Sequence, residues 1–205
     1  MKICFVIFCI ICFRKKIKIS QNIKYVDRKK DHIAIYFHDR TEKFDWIFFA
    51  CHSDQALKLI KSPSLDEKNT LRAIPYHDNE VVLHYDDNFM PKRKLAWAAW
   101  NYHINHSDTS PASLTYNMNM LQNLKTQVPI LVTLNPQQAI NKKKIIKSLS
   151  YAHPQYSLRS IEAQSNYHLI SGVNRTSFAG AYWGNGFHED GVKSALNAIQ
   201  QFNLI

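Results

Sequence analysis

Ser177-Phe178-Ala179-Gly180-Ala181-Tyr182-Trp183-Gly184-Asn185-Gly186-Phe187-His188-Glu189-Asp190-Gly191-Val192-Lys193-Ser194-Ala195-Leu196 reads as a strand, a glycine-rich turn and a helix. A turn of this form brings backbone N–H groups to a helix N-terminus, where they can face an electron-rich ligand. All five glycines of the 205-residue chain lie between Gly172 and Gly191. The residues before Gly172 therefore cannot contain the G-x-G-x-x-G turn that cradles a dinucleotide pyrophosphate. The sequence carries half of a ligand site of this type and lacks the other half.

The rest of the composition is that of a globular protein. Hydrophobic residues make up 45% and charged residues 20%, which excludes wholesale disorder. The net charge is +10, but the lysines are spread along the chain and the densest downstream run is only Lys142-Lys143-Lys144 with Lys147. No zinc-finger or RNA-recognition signature accompanies them. The charge therefore reads as a lysine-rich solvated surface and not as a nucleic-acid interface. Cys4, Cys9 and Cys12 sit in an apolar N-terminal run and Cys51 stands alone, which is no disulfide framework. The Cys9–Cys12 pair has C-x-x-C spacing but lacks a second ligand pair, so no metal site is expected. The run Ile3 to Phe13 is about half the twenty residues that a membrane-spanning helix needs, and its β-branched content suits a buried strand. No transmembrane span is expected, and weak membrane affinity is the alternative reading of this run.

Four sheet segments are predicted before position 50. Ile23 to Val26 precedes a polar turn, and Ile33, Ile35 and Phe37 alternate with their neighbours at period two. Asp39 to Lys43 reads as a second turn. Phe44 to Ala50 is nearly continuous apolar sequence, as in a parallel strand buried on both faces. A helix then opens at His52, with Ser53 or Asp54 as its cap, and Leu65 to Arg72 adds a turn or two of helix. Tyr76 to Thr133 reads as an antiparallel sheet that includes Leu114 to Met120 and Ile130 to Leu134. Ile145, Ile146 and Leu149 have helical spacing, stopped by His153-Pro154. Val192, Ala195, Leu196 and Ile199 form the expected apolar face of the last helix.

Several of these blocks, taken in order, resemble the predicted NAD/FAD-binding proteins of the flavin-containing amine oxidase superfamily. They are Ala50-Cys51-His52-Ser53-Asp54-Gln55-Ala56-Leu57, then Val82-Leu83-His84-Tyr85-Asp86 with Met90-Pro91, and Ala96-Trp97-Ala98-Ala99-Trp100-Asn101-Tyr102. Leu114 to Gln122, Val132 to Pro136, His153-Pro154 and Gly180 to Gly191 complete the series. The resemblance runs over roughly Ile17 to Phe202. It implies an α/β (α+β) fold: a partial FAD-binding Rossmann-like domain, residues 17–62 and 172–205, with an antiparallel-sheet substrate lobe at 63–171. Residues 1–16 lie outside it. The chain would correspond to the C-terminal part of an FAD-dependent oxidoreductase that moves hydride to or from flavin.

By the same resemblance, the cofactor-binding residues would be Ile23, Ala50, Cys51, Gly180, Tyr182, Trp183, Gly186, Phe187, His188 and Glu189. Gly180 would let the backbone pass close to FAD, and the Gly186–Glu189 turn would place N–H groups at the flavin's pyrimidine end. Glu189 and Asp190 also read simply as acids complementing the helix dipole. Trp97, Trp100, Tyr116 and Asn117 would line the substrate lobe, with core packing as the alternative for the aromatic residues. No catalytic base is identifiable. The expected partner is a separately encoded N-terminal FAD-binding half, and the expected substrate is a small molecule or a lipid. The rival readings are a non-catalytic subunit, a relic, or a cytoplasmic enzyme that associates with membrane lipid.

Overall fold

The structure is a computed structural model that describes the backbone of residues 3–6 and residues 17–104 and 112–203. The Cys9–Cys12 pair lies outside the described residues. Among the described residues, eleven strands and six α-helices form two compact units. One comprises the described residues up to Tyr76 together with those from Pro154 onward, and the other comprises His77–His153. The second unit is narrower than the 63–171 lobe expected from sequence. Helices α2 (Leu65–Arg72), α4 (Leu158–Ser165) and α5 (Tyr167–Ile170) all belong to the first unit.

In the first unit, β1 (Ile3–Val6), β5 (Trp46–Phe49) and β11 (Thr176–Phe178) form a three-stranded parallel sheet in the order β1-β5-β11. The described part of the N-terminal apolar run is therefore a strand. The central strand explains the unbroken apolar sequence, because both of its faces are covered. Ile47 and Phe49 pack into a cluster with Val26, Ile35, Leu71, Ile170 and Phe178. Trp46 and Phe48 pack with Ala198 and Phe202 of α6 (His188–Asn203), and the Trp46 and Phe202 ring centroids are 5.2 Å apart. Residues of a strand alternate between faces, so only a sheet buried on both sides tolerates an apolar run of this kind.

The chain between β1 and β5 forms an antiparallel sheet of β2 (Ile23–Arg28), β3 (Ile33–Phe37) and β4 (Thr41–Phe44). Most of the polar stretch 39–43 read as a turn is thus strand, because its half-exposed residues need only one covered face. Helix α1 (Ser53–Leu59) follows β5, and its N-cap is His52, not Ser53 or Asp54. Ser53 is buried, and its hydroxyl donates to the Ile74 carbonyl. Helix α2 opens with a Ser64–Glu67 capping box, and the buried Glu67 carboxylate also pairs with Arg28 of β2.

The second unit is built on a five-stranded sheet in the order β10-β6-β9-β8-β7. Its strands are β6 (Tyr76–His84), β7 (Trp100–His103), β8 (Ser113–Asn117), β9 (Leu131–Leu134) and β10 (Ile145–Pro154). The ladders β6–β9, β7–β8 and β8–β9 are antiparallel, as expected. The segment 145–154 is a strand and not the helix that the spacing of Ile145, Ile146 and Leu149 suggests. Pairing at a sheet edge outweighs a short apolar spacing, and Pro154 is tolerated where the strand ends. Strand β8 also stops earlier than its sequence suggests. The Asn117 side chain accepts the Met120 N–H and caps α3 (Met118–Gln122).

Candidate functional site

The parallel strands β5 and β11 end at Phe49 and Phe178, and the Ala179 N–H donates to the Phe49 carbonyl at 2.8 Å. The chain leaving β5 enters Ala50 and Cys51, and the chain leaving β11 enters Gly180, Tyr182 and Trp183. The fold thus brings these five residues to the carboxyl ends of adjacent parallel strands, where open α/β sheets bind ligands. Cys51 and Trp183 pack against the same buried cluster. Burial pushes the Cys51 thiol up to about 11, so it is not a thiolate nucleophile at neutral pH.

The segment after β11 is held from several directions. The buried Ser194 hydroxyl accepts the Gly180 N–H at 2.9 Å and donates to the Gly191 carbonyl at 2.8 Å. Gln164 of α4 donates to the Tyr182 and Gly184 carbonyls at 3.0 and 2.7 Å. The Tyr167 hydroxyl donates to the Phe178 carbonyl, and its ring meets Trp183 edge-on at 4.9 Å. A Cβ on Gly180 would lie 2.2 Å from the buried Tyr182 ring, so the glycine is required by its own chain. Two polar atoms of this segment, the Tyr182 hydroxyl and the Trp183 indole N–H, are buried and make no hydrogen bond of ordinary geometry among the described residues, each having the other as a polar neighbour. Burial holds the Tyr182 phenol well above its usual range, so it stays a neutral donor.

The turn into α6 has a different role from the expected one. The Asn185 and Phe187 N–H groups both donate to Asp190 Oδ2 at 3.0 Å, and the Gly186 N–H donates to the Ala181 carbonyl at 3.2 Å. Within the Gly186–Glu189 turn, Asp190 thus takes the Phe187 N–H and the Ala181 carbonyl takes that of Gly186, which leaves two of the four donors expected to face a ligand. Gly184 makes room for that carboxylate, since a Cβ there would sit 2.6 Å from it. Gly186 has φ +88°, which a side chain would strain. Phe187, His188 and Glu189 are exposed, and Glu189 makes only a 4.0 Å pair with Lys193. The N–H groups of His188 and Glu189, in the first helical turn, remain the donors for which the helix itself supplies no acceptor. Ile23, at the start of β2 and opposite Phe37 in the antiparallel sheet, packs against the same buried cluster as Cys51 and Trp183.

In the second unit, Trp100 and Tyr116 face each other across β7 and β8 with ring centroids 5.3 Å apart. With Leu114, Val132, Leu134 and Leu83 in register, they form one face of the sheet, and none of these side chains is fully buried. Asn117 lies on the opposite face, almost wholly buried as the α3 cap, so it does not form a polar patch with Tyr116. Trp97 belongs to the loop before β7, where its indole donates to the Pro91 carbonyl at 2.8 Å.

The covered face of this sheet holds a group that the sequence did not signal. His84 Nε2 lies 2.7 Å from Thr133 Oγ1, Thr133 Oγ1 lies 2.8 Å from Thr115 Oγ1, and Thr115 Oγ1 lies 2.8 Å from His103 Nε2. His84 Nδ1 accepts the Asp86 N–H, so the neutral ring carries its proton on Nε2 and donates to Thr133. Both histidines lie below their ordinary value because burial disfavours the imidazolium. These four residues come from four strands, and only the sheet register joins them.

Among the described residues, no three His, Cys, Asp or Glu side chains are grouped to hold a metal ion, and no helix is long and apolar enough to cross a membrane. No family model matches the chain, and no curated protein matches it by sequence. Solved structures do. A protein assigned as a protoporphyrinogen oxidase from Exiguobacterium sp. 255-15 aligns at 11% identity and TM-score 0.63, covering 90% of this chain and 46% of its own. A fatty acid isomerase from P. acnes that produces CLA aligns at 13% identity and TM-score 0.56, with 89% and 47% covered. Cyclohexylamine oxidase from Brevibacterium oxydans IH-35A aligns at 9% identity and TM-score 0.55, with 90% and 49% covered. The chain spans about half the length of these neighbours and over that span shares their mixed helix-and-sheet fold.

Proposed function

We propose that this chain supplies the flavin-ring end and the substrate lobe of an FAD-dependent oxidoreductase, with the pyrophosphate end supplied by a separate glycine-rich polypeptide. The observation that carries this reading is a pair of adjacent buried donors, the Tyr182 hydroxyl and the Trp183 indole N–H, which make no hydrogen bond of ordinary geometry among the described residues and follow the carboxyl end of β11. Leaving such donors unmet in a folded protein costs about 1–3 kcal/mol each, so a polar, planar ligand edge is their natural complement. Bound FAD would supply hydride transfer at a substrate C–H bond. The residues of this chain would position the ring: Ala50 and Cys51 by close backbone passage, Tyr182 and Trp183 by donation, and the first turn of α6 by its dipole. The phosphates are a different matter, because no glycine precedes Gly172 and no phosphate-cradling loop can follow β1 or β2.

The need for a second polypeptide has separate support in α6. Val192, Leu196 and Ile199, the expected core-facing stripe, are exposed, while Ser194 and Ala198 face the sheet. An apolar stripe in this position suits a covering segment. The open face carrying Trp100 and Tyr116 bears no charged side chain in the paired positions, which favours an apolar substrate. The isomerase among the structural neighbours is named for a fatty acid, in keeping with that preference.

The test is a flavin absorbance spectrum of the purified chain, alone and after co-expression with the glycine-rich half encoded by a neighbouring frame. Flavin is expected only after co-expression, and the Tyr182→Phe and Trp183→Phe variants are expected to shift its visible bands. Absence of flavin from both samples would remove the oxidoreductase reading. Stoichiometric flavin on the chain alone would remove the need for a partner.

A further inference from the structure

In the second unit, Pro91 to Trp97 forms a closed loop. The Trp97 indole donates to the Pro91 carbonyl at 2.8 Å, and the Ala96 and Trp97 N–H groups donate to the Arg93 and Lys94 carbonyls in a 3-10 turn. The loop is held by its own hydrogen bonds, and yet Leu95 at its tip is fully exposed. Lys92, Arg93 and Lys94 precede Leu95 and have no acidic partner among the described residues. The loop leads into edge strand β7, where Asn101 turns inward and its side chain bonds both the N–H and the carbonyl of Ala98. Trp100 and Tyr102 turn outward, 55% and 63% exposed. One contiguous segment thus presents an aliphatic tip, three free cations and two exposed aromatic rings.

Two chemistries meet in this segment. Exposed aliphatic and aromatic side chains on a rigid support suit the boundary between headgroups and acyl chains, where Trp and Tyr are enriched. Unpaired Lys and Arg beside them suit an anionic surface. From Lys92 to His153 the sequence carries eight Lys and Arg and a single acid, Asp108. A protein partner for this stretch would need an acidic surface with an apolar centre, whereas an anionic bilayer offers both properties without specific fit. We propose that the Lys92–Tyr102 segment docks the protein peripherally on anionic lipid bilayers, with Leu95 entering the interface and Lys92, Arg93 and Lys94 on the headgroups. The proposal does not depend on flavin, so it can fail while the oxidoreductase reading stands.

Vesicle flotation of the full chain tests it, because only lipid-bound protein rises. The chain is expected to float with vesicles of phosphatidylcholine and phosphatidylserine at low salt and to be released at high salt. It is expected to stay down with phosphatidylcholine alone. Each cation contributes about a fivefold factor near an anionic surface, so the Lys92→Glu/Lys94→Glu double variant should lose more than about tenfold in binding. Leu95→Ser should lose roughly fivefold to tenfold. Leu95 touches nothing in the fold, so both variants should keep the wild-type circular dichroism spectrum, and Trp100→Ala serves as an independent third variant. Three outcomes would each overturn the proposal: no flotation, equal flotation with neutral vesicles, or undiminished flotation of all the variants. A lipid-free dimer that is lost in Leu95→Ser would also overturn it, and would assign the face to a second copy of the chain.

Discussion

The two units treat their sheets in different ways. In the parallel sheet of the first unit, β5 buries Trp46, Ile47, Phe48 and Phe49 on two covered faces. In the antiparallel sheet of the second unit, the covered face carries His84, Thr133, Thr115 and His103 in a hydrogen-bonded row, while Trp100, Tyr102 and Tyr116 lie on the open face. The first sheet follows the ordinary rule that apolar side chains stabilise by leaving water. The second departs from it in part: its covered face sets Val82 and Leu131 beside the polar row, whose groups must be fully partnered there, and aromatic area is left on the other face. Such departures mark places where a sequence is arranged for more than stability.

The sharpest way to break this comparison is to truncate one aromatic residue in each sheet. Phe49→Ala removes a fully buried ring stacked 5.5 Å from Phe178, and should cost about 3–5 kcal/mol in urea denaturation. Trp100→Ala should cost under about 0.5 kcal/mol, because more than half of that side chain is already in water. Equal losses would mean that the open face is covered in solution.

Thr133→Val comes next. It keeps shape but leaves the His84 Nε2–H and the Thr115 hydroxyl without their shared partner, and should cost about 1–3 kcal/mol. A neutral result would mean that the row contributes nothing that an apolar filling cannot.

The row also predicts a dependence on pH. His84 and His103 lie below 6.5 because of burial; for His84 the Asp86 carboxylate opposes that shift and the Lys144 ammonium adds to it. Lys144 is itself held by Asp86 and Asp87. With lowered values in the folded state, the unfolded chain takes up protons first as pH falls. Stability is therefore complete above about pH 6.5 and is lost progressively below it. The carboxylates with shifted values, such as Asp27 and Asp86, lie below their ordinary 3.8 and titrate outside this window. The urea midpoint should fall between pH 7.5 and pH 5.5, with a shallower slope in His103→Gln. A flat or rising midpoint on acidification would show that the row does not control stability.

The smallest expected effect returns to the first unit. Tyr182→Phe deletes a buried hydroxyl that makes no hydrogen bond of ordinary geometry, so without ligand the chain should be unchanged or more stable by up to about 1 kcal/mol, read from the same denaturation curves. A loss above that range would reveal a partner for this hydroxyl and weaken its assignment to a ligand.

Much of this was legible in the residues. Within the apolar run Phe44 to Ala50, Trp46 to Phe49 is the strand with two covered faces that the run suggested, whereas Phe44 ends β4 of the antiparallel sheet. The Gly180–Gly191 turn had to join a strand to a helix, and it does. Local spacing misled where two pairings competed. Ile145, Ile146 and Leu149 fit a helix period, yet the available sheet edge made them a strand. Val192, Leu196 and Ile199 fit an apolar helix face, yet the sheet took the smaller Ser194 and Ala198, which allow closer approach. Asn117 and Tyr116 are neighbours in sequence, and for that reason they point to opposite faces of β8.

The candidate site divides along the same line. Sequence alone determined that no pyrophosphate loop can be built from residues before Gly172, because without glycine the backbone cannot make that turn. It also determined that Ala50–Cys51 and Gly180–Trp183 follow strands. Only the tertiary structure decided that β5 and β11 are adjacent and that Ala50–Cys51 and Gly180–Trp183 therefore leave neighbouring strand ends. β5 and β11 lie more than about a hundred residues apart in sequence, and sheet pairing and packing set such distances, not local preference.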